Sequence, residues 1–136
     1  MGKRLLRHLT ADAVEAIHDE VLAAHALPGL RDRALLESAV AAPQASYGGQ
    51  FLIEDPVEIA AAYLFYLCRN RAFLDGNKRT ALASAVLFLR MNDLMADVPL
   101  DPDAWEALVV DVGSSPLNRD QATERLRALV IPKSAV

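Results

Sequence analysis

A short polar stretch between two apolar segments contains most of the residues in this sequence that could do chemistry. The stretch covers residues 70–80 and reads Asn-Arg-Ala-Phe-Leu-Asp-Gly-Asn-Lys-Arg-Thr. Its carboxylate, Asp75, is the kind of side chain that binds a hard divalent cation. Gly76, which follows it, permits a tight turn or a close approach of a ligand to the backbone. The first half of the stretch therefore offers a candidate metal ligand on a turn.

The second half of the stretch has the features of a helix start. Asn77 is a favourable N-cap, so Lys78 and Arg79 are expected in the first turn of the following helix. The helix macrodipole disfavours cations at that end, and two adjacent cations there call for an anion that neutralises them. The residues alone indicate a phosphate site with a metal ligand beside it. The alternative is an ordinary turn and helix cap followed by two solvated cations.

Composition indicates one folded domain over residues 1–136 and excludes several classes of function. The chain has 136 residues, 53% of them apolar, which is enough for a sizeable core. Fourteen basic and eighteen acidic residues give a net charge of −4, so direct binding to nucleic acid is not expected. The single cysteine, Cys68, allows no internal disulfide and suits a reducing cytosol. The longest apolar run, Ile59–Cys68, is too short to span a bilayer, so we expect a cytoplasmic protein with no membrane contact.

The spacing of apolar residues predicts an all-α protein, a compact bundle of about six helices. Helices are expected over Ala11–His25, from the cap Asp32 to Ala42, from Pro56 to Arg69, over Asn77–Met91, from Pro102 to about Val112, and over Asn118–Val130, with a break at Gly113–Pro116. The stretch Gln44–Asp55 contains a Tyr-Gly-Gly-Gln turn signal and is expected to form a loop or a small β-hairpin that projects as a flap. The third and fourth helices are the most apolar, so the polar stretch between them should lie at the mouth of the core.

The residues Phe73–Ala81 resemble the signature of the Fic/Doc family in its Doc (death-on-curing) branch, which reads His-x-Phe-x-Asp-Gly/Ala-Asn-Lys-Arg-Thr-Ala. The resemblance extends to blocks on both sides of the motif, at Ile17–Asp19, Leu27–Asp32, Leu36–Ala39 and Leu87–Asn92. It covers nearly the whole chain, and its central motif is specific. We therefore identify the chain as similar to the Doc branch of this family.

The resemblance implies a fold, a reaction and a partner. The fold is the Fic fold, a helical bundle with a β-hairpin flap before the central helix. Doc-type proteins are toxins that transfer the γ-phosphate of ATP to a threonine of elongation factor Tu, which stops translation. Their usual partner is a Phd-like antitoxin whose C-terminal segment folds into a groove on the toxin. Fic-type relatives transfer AMP and have a second glycine where this chain has Lys78, so AMP transfer is the alternative that this lysine argues against.

The family also implies roles for the residues of the motif. Asp75 would bind Mg²⁺ that bridges phosphate oxygens. Gly76, Asn77 and the N–H groups of the first helical turn would hold a phosphate of the nucleotide, while Lys78 and Arg79 offset the charge of the transferred group. The flap would pair with an extended segment of the target by strand addition.

The chain departs from the family pattern at one position that matters for catalysis. The family's catalytic histidine precedes Phe73 by two residues, and this chain has Arg71 there. A histidine accepts the proton of a target hydroxyl near neutral pH, whereas an arginine stays protonated and has no acceptor lone pair. General-base catalysis contributes about 10²–10⁴-fold, so the chain as written is expected to be catalytically impaired. Phe73 itself is expected to point inward and support the loop.

Two explanations of Arg71 remain open. In the first, which we prefer, the natural protein has histidine there and the arginine was selected because an active translation toxin kills its host. In the second, the chain is an inactive pseudo-enzyme that acts as a binding module. The guanidinium could also reach into the phosphate site as a further anion ligand. His18, in the first helix, is expected to be a core-edge or capping residue and not a replacement for the missing base.

Overall fold

The computed structural model describes residues 6–22, 27–95, 101–114 and 116–130 of the chain. The described residues form six α-helices, a short 3₁₀ helix and one β-hairpin. In chain order these are α1 (Ala11–Val21), α2 (Arg33–Ala41), the 3₁₀ helix (Ala42–Gln44), β1 (Ser46–Tyr47), β2 (Gln50–Phe51), α3 (Pro56–Asn70), α4 (Asn77–Met91), α5 (Pro102–Ser114) and α6 (Arg119–Val130). The predicted all-α bundle with a hairpin flap is confirmed. Over the described residues, no helix is long and apolar enough to cross a membrane.

Side chains at the helix starts explain three of the predicted boundaries. Thr10 and Asp32 each accept a hydrogen bond from a backbone N–H in the first turn of the helix that follows, at 3.0 and 3.2 Å. Asp55 does the same for α3 at 3.0 Å, with Pro56 in the first helical position. These oxygens satisfy N–H groups that have no acceptor within their own helix, and proline at that position has no N–H to satisfy.

One predicted helix end is wrong, and a second helix runs two residues further than predicted. Helix α1 ends at Val21, because Leu22 adopts an extended backbone with ψ of 126°. The predicted end, His25, lies outside the described residues. Gly113 does not break α5, which continues to Ser114. Glycine in a helix costs about 1 kcal/mol relative to alanine, and the packing of the helix outweighs that preference here.

The hairpin of β1 and β2 forms the flap that the sequence predicts. Its strands pair antiparallel, with Tyr47 opposite Gln50. The two residues between them, Gly48 and Gly49, have φ of 59° and 81°, the left-handed conformation that a two-residue hairpin turn of this kind requires. Apolar side chains project from this hairpin, since Tyr47 is 84% exposed and Phe51 is 50% exposed.

Helix α3 lies at the centre of the bundle and packs against α2, α4, α5 and α6. Its buried side chains are Ile59, Ala60, Ala61, Ala62, Tyr63, Leu64, Leu67 and Cys68. The three consecutive alanines carry little bulk, so neighbouring helices can approach the α3 backbone closely. Helix α4 packs beside α3, and α1 packs against α4. The polar connection between α3 and α4 therefore leaves the core at one end of its two central helices.

The Tyr63 hydroxyl fixes the segment that precedes α1 to the core. It accepts a hydrogen bond from Leu9 N–H at 3.1 Å and lies 2.7 Å from Nδ1 of His8. Burial raises the pKa of Tyr63 to about 12 and lowers the pKa of His8, so a neutral hydroxyl can donate to a neutral ring. This contact sets the start of α1, the helix that later supplies a contact to the site.

The ion pair between Asp55 and Arg127 gives the fold a testable dependence on pH. Arg127 Nη2 donates to Asp55 Oδ2 at 2.6 Å. Burial alone would raise the pKa of the Asp55 carboxyl, but hydrogen bonds from Arg127 and from Val57 N–H outweigh it and lower the pKa. The stabilisation is therefore complete above the unfolded-state pKa of about 3.9 and is lost as the pH falls through the lower folded-state value.

We expect Asp55→Asn to keep the cap of α3, because asparagine caps a helix as well as aspartate, and to lose the ion pair. Urea denaturation should show a smaller loss of unfolding free energy for this variant than for the parent between about pH 5 and pH 3. Asp55→Ala, which also removes the cap, should cost about 1 kcal/mol more at neutral pH. Equal acid sensitivity of Asp55→Asn and the parent would contradict this account.

Candidate active site

The loop between α3 and α4 begins and ends with a residue in the left-handed backbone region. Arg71, the C-cap of α3, has φ of 51° and ψ of 52°, and Gly76, the N-cap of α4, has φ of 79°. Glycine adopts this conformation freely, whereas a residue with a side chain is disfavoured by roughly 1–2 kcal/mol. Histidine is among the residue types enriched in this region, so the backbone at position 71 would also accommodate the histidine that the resemblance implies there.

Asn77 is the first residue of α4 and not its N-cap, so that prediction is wrong. Its side-chain oxygen accepts a hydrogen bond from Phe73 N–H at 3.0 Å, and its side-chain N–H donates to the Phe73 carbonyl at 2.9 Å. These bonds close the loop on itself. With no side chain capping α4, the N–H groups of residues 77–79 have no acceptor among the described residues. N–H groups in this position at a helix start are suited to binding an anion.

Phe73 and His18 stack beneath the loop. Their rings lie 3.9 Å apart between centroids and are nearly parallel, at 7°. Phe73 is buried, as the sequence predicts, and His18 is 1% exposed. His18 Nε2 lies 2.7 Å from the carbonyl oxygen of Asp75, so this nitrogen carries the proton and donates it. His18 therefore supports the loop from α1, and its burial agrees with the structural position expected for it.

The segment Gly29–Asp32, which precedes α2, runs alongside the loop; we call it the strap. The N–H groups of Arg31 and Asp32 both donate to the carbonyl of Ala72, at 2.7 and 3.0 Å. The loop returns one bond, from Leu74 N–H to the strap at 3.2 Å. The loop is thus paired to a second piece of backbone, which limits the conformations open to it.

Arg31 is a site residue that sequence reasoning missed. Its Nε donates to the carbonyl of Arg71 at 2.8 Å, and its Nη2 donates to the carbonyl of Asn70 at 3.3 Å. The contact spans 40 residues of sequence, so no local pattern marks it. The sequence did indicate that Arg31 lies in the Leu27–Asp32 block that resembles the family. That resemblance does not reveal which residues Arg31 contacts.

The structure brings all the predicted site residues to one cavity of about 840 Å³, which Arg71, Asp75, Gly76, Asn77, Lys78 and Arg79 line together. Arg31 lines it as well, so in the part of the chain that the structure describes four cations surround a single carboxylate, although the net charge of the chain is −4. The volume lies within the range of small-molecule sites, about 300–1,000 Å³. Its charge suits a ligand with several negative charges, such as a triphosphate.

The stem of Lys78 crosses α5 at Gly113. A Cβ atom on Gly113 would lie 2.8 Å from Lys78 Cε and 3.1 Å from Cys68 Sγ, so the glycine leaves room for the lysine side chain. Cys68 is buried, as predicted, and burial raises the pKa of its thiol despite the neighbouring cations. Sequence reasoning treated Gly113 as a helix breaker, and the structure gives it this packing role instead.

Among the described residues, Asp75 is the one acidic side chain that lines the cavity. Its Oδ1 accepts a hydrogen bond from Gly76 N–H at 2.8 Å, and its other oxygen has no partner among the described residues. In the part of the chain that the structure describes, no three His, Cys, Asp or Glu side chains gather to hold a metal by themselves. Mg²⁺ is commonly held by one or two carboxylates together with substrate phosphates, so this donor set fits Mg²⁺ bound along with a nucleotide.

Comparison with known proteins identifies the family of this chain. A model of the Fic/DOC family matches residues 8–89, from the segment before α1 into α4. This chain belongs to the Fic/Doc family. Among Fic/Doc relatives, Toxin Doc of Mycolicibacterium smegmatis (strain ATCC 700084 / mc(2)155) is 39% identical over 97 residues, which cover 71% of this chain and 75% of the relative. Protein kinase doc of Escherichia phage P1 is 32% identical over 125 residues, which cover 91% of this chain and 96% of the relative.

The bond from His18 to the loop can be tested by removing its donor while keeping an aromatic ring. We expect His18→Phe to retain the stack on Phe73 but to leave the Asp75 carbonyl without its donor, which lowers the free energy of unfolding by about 1–3 kcal/mol. Chemical denaturation measures this loss. Asp19→Ala is the matched control, because Asp19 is exposed and lies 3.9 Å from the other ring nitrogen of His18. An equal loss in that control would argue against the Nε2 bond.

Proposed function

We propose that this chain is a Doc-type toxin of a toxin–antitoxin module, with a site for transfer of the γ-phosphate of ATP to a threonine hydroxyl on a target resembling elongation factor Tu. The observation that carries the proposal is the cavity in which, over the described residues, four cations surround one carboxylate at a helix start without a side-chain cap. The names of the two relatives support the same direction, since one is a toxin and the other a protein kinase.

Three kinds of group in the cavity would hold the nucleotide. When bound, Mg²⁺ and ATP supply the phosphoryl group and a divalent charge that offsets the phosphates. The open carboxylate oxygen of Asp75 is available to the cation. The N–H groups of residues 77–79 and the side chains of Lys78 and Arg79 would donate to phosphate oxygens, which are among the stronger hydrogen bonds because one partner is charged. The packing of Lys78 on Gly113 limits where the ammonium group can lie.

Removal of the proton from the target hydroxyl is the step for which this chain lacks a suitable base at position 71. In the proposed reaction, an oxygen–phosphorus bond forms at the target while the bond to the leaving ADP breaks, and the hydroxyl proton passes to a base. A histidine at position 71 would accept that proton. Arg71 has no lone pair to accept it, so we propose that the chain as written is impaired as a phosphotransferase.

A second function, binding without catalysis, is favoured by the position of the Arg71 guanidinium and by its lack of hydrogen-bond partners among the described residues. The residue lines the cavity, and its guanidinium makes no hydrogen bond or ion pair with the described residues. A guanidinium in this position would bind phosphate by a fork of two hydrogen bonds. The chain would then hold a nucleotide, or an antitoxin, without turning a substrate over.

We propose a Phd-like antitoxin as the partner, and two shallow grooves beside α4 support it. One groove, of about 440 Å³, lies on the side of Val21 in α1, and the other, of about 490 Å³, lies on the side of Trp105 in α5. Both are mainly apolar and both reach Arg79 at the edge of the cavity. Such a groove suits the apolar face of an amphipathic segment. The exposed edge of the hairpin supports the matching proposal that an extended target segment pairs with the flap.

Restoring the base tests the proposed reaction. We expect Arg71→His to raise phosphate transfer to the target protein by about 10²–10⁴-fold over the chain as written, because the imidazole supplies general-base catalysis. Growth arrest on induced expression, together with a mass increase of one phosphate on elongation factor Tu, measures this gain. An increase of one AMP unit would favour AMP transfer instead. Arg71→Ala is the control that has neither base nor cation, and an Arg71→His variant without toxicity or kinase activity would contradict the proposal.

Nucleotide affinity tests the cationic cavity in the chain as written. We expect isothermal titration calorimetry to detect binding of Mg²⁺·ATP, and we expect Arg71→Ala and Lys78→Ala each to weaken it by roughly tenfold or more, because each removes a charged hydrogen-bond donor. Arg90→Ala is the matched control, since it removes an exposed cation of α4 that does not line this cavity. Tighter binding to Arg71→Ala than to the parent would contradict a phosphate-binding role for Arg71.

A further inference from the structure

Residue 31 holds three consecutive carbonyl groups around position 71. The guanidinium of Arg31 donates from Nε to the carbonyl of Arg71 and from Nη2 to that of Asn70, at 2.8 and 3.3 Å. The backbone N–H of the same residue donates to the carbonyl of Ala72 at 2.7 Å. Position 71 is therefore bracketed on both sides by donors from one residue of the strap.

We infer that Arg31 is a positioning residue that holds the backbone at position 71 in the orientation that the base requires. Its catalytic consequence rests on the proposed phosphate-transfer function. The carbonyls it binds belong to the C-terminal end of α3, where the last carbonyl groups of a helix have no intrahelical donor and where the macrodipole favours a cation. An arginine satisfies both needs, since its planar fork can reach two carbonyls at once and its charge is permanent.

The backbone conformation at position 71 explains why such a restraint is needed. Arg71 has a φ of 51° and is not a glycine, so its left-handed conformation is unfavourable unless neighbouring contacts impose it. The bonds from Arg31 fix the peptide groups on both sides of this residue. They thereby fix the direction in which any side chain at position 71 leaves the backbone.

The strap is attached to α2 by hydrogen bonds, so the position of α2 also restrains the backbone at position 71. The residue after Arg31, Asp32, caps α2 by accepting a hydrogen bond from Leu35 N–H at 3.2 Å. The end of α3 returns a contact to the same helix, because the Asn70 side chain donates to the carbonyl of Leu35 at 3.0 Å. The first turn of α2 and the last turn of α3 therefore form one connected unit, with Arg31 reaching across it to position 71.

Hydrogen exchange tests this role in the chain as it stands. The reporters are the amides of Phe73 and Leu74, which donate to Asn77 Oδ1 and to the strap. We expect Arg31→Ala to speed their exchange by about tenfold relative to core amides of α3, because it removes charged hydrogen bonds. Arg31→Lys should not restore protection, because a single ammonium group cannot reproduce the fork.

Arg33→Ala is the matched control for the exchange experiment. Arg33 is an exposed arginine two residues after Arg31. It pairs with Asp12 and Glu15 and does not line the cavity. It should leave exchange of the two reporter amides unchanged. Unchanged exchange in Arg31→Ala, or full protection in Arg31→Lys, would overturn the inference.

Kinetics in the Arg71→His background separate positioning from the other roles that Arg31 could have. We expect Arg31→Ala to lower kcat by at least about tenfold with little change in KM for ATP, because Lys78 and Arg79 remain to bind phosphate. A rise in KM at constant kcat that Arg31→Lys reverses would make Arg31 a phosphate ligand and overturn the inference. Equal kcat and KM per folded molecule would also overturn it. An Arg71→His protein without activity would contradict the proposed function, while the exchange experiment would still decide the role of Arg31.

Discussion

Helix α3 is enclosed by four other helices, and the arrangement of the polar residues follows from that enclosure. Its alanine run lets its neighbours approach closely, and a helix so covered exposes little except its ends. The C-terminal end carries unsatisfied carbonyl groups and so attracts donors and cations. Helix α4 begins a few residues later with unsatisfied N–H groups, which attract anions. The two central helices thus present opposite polar ends within one short loop, and the site occupies that junction.

The loop is held by contacts from several distant parts of the chain. His18 supports it from α1, the strap pairs with it from the side of α2, and Gly113 of α5 makes space for the side chain of Lys78. Among the described residues, these restraints gather four positive charges around one carboxylate, and the positive charges repel one another unless an anion neutralises them. The fold therefore holds these positive charges close together, and a bound polyphosphate would reduce the repulsion between them.

The sequence predicted those parts of the structure that depend on neighbouring residues. Thr10 and Asp32 act as the expected caps, Pro56 takes the expected first position of α3, and the motif residues share one cavity because a single loop carries them. The contacts of Arg31 were not predicted, because its partners lie about 40 residues away in the sequence. Asn77 was assigned the wrong role because the side chain that suits an N-cap can equally bond back to its own loop. Gly113 lowers the intrinsic stability of its helix, as glycine does in any helix interior, but the packing of Lys78 requires a residue without a side chain there.

The backbone at position 71 is held by donors that do not belong to residue 71 itself. The side chain there can consequently change from arginine to histidine with little effect on the contacts that shape the loop. The residues that hold the backbone at this point are thus different from the residue whose side chain lines the cavity there. A binding partner that recognises the folded surface would bind a chain with arginine at position 71 as well as a chain with histidine there, so the two forms would compete for the same partner.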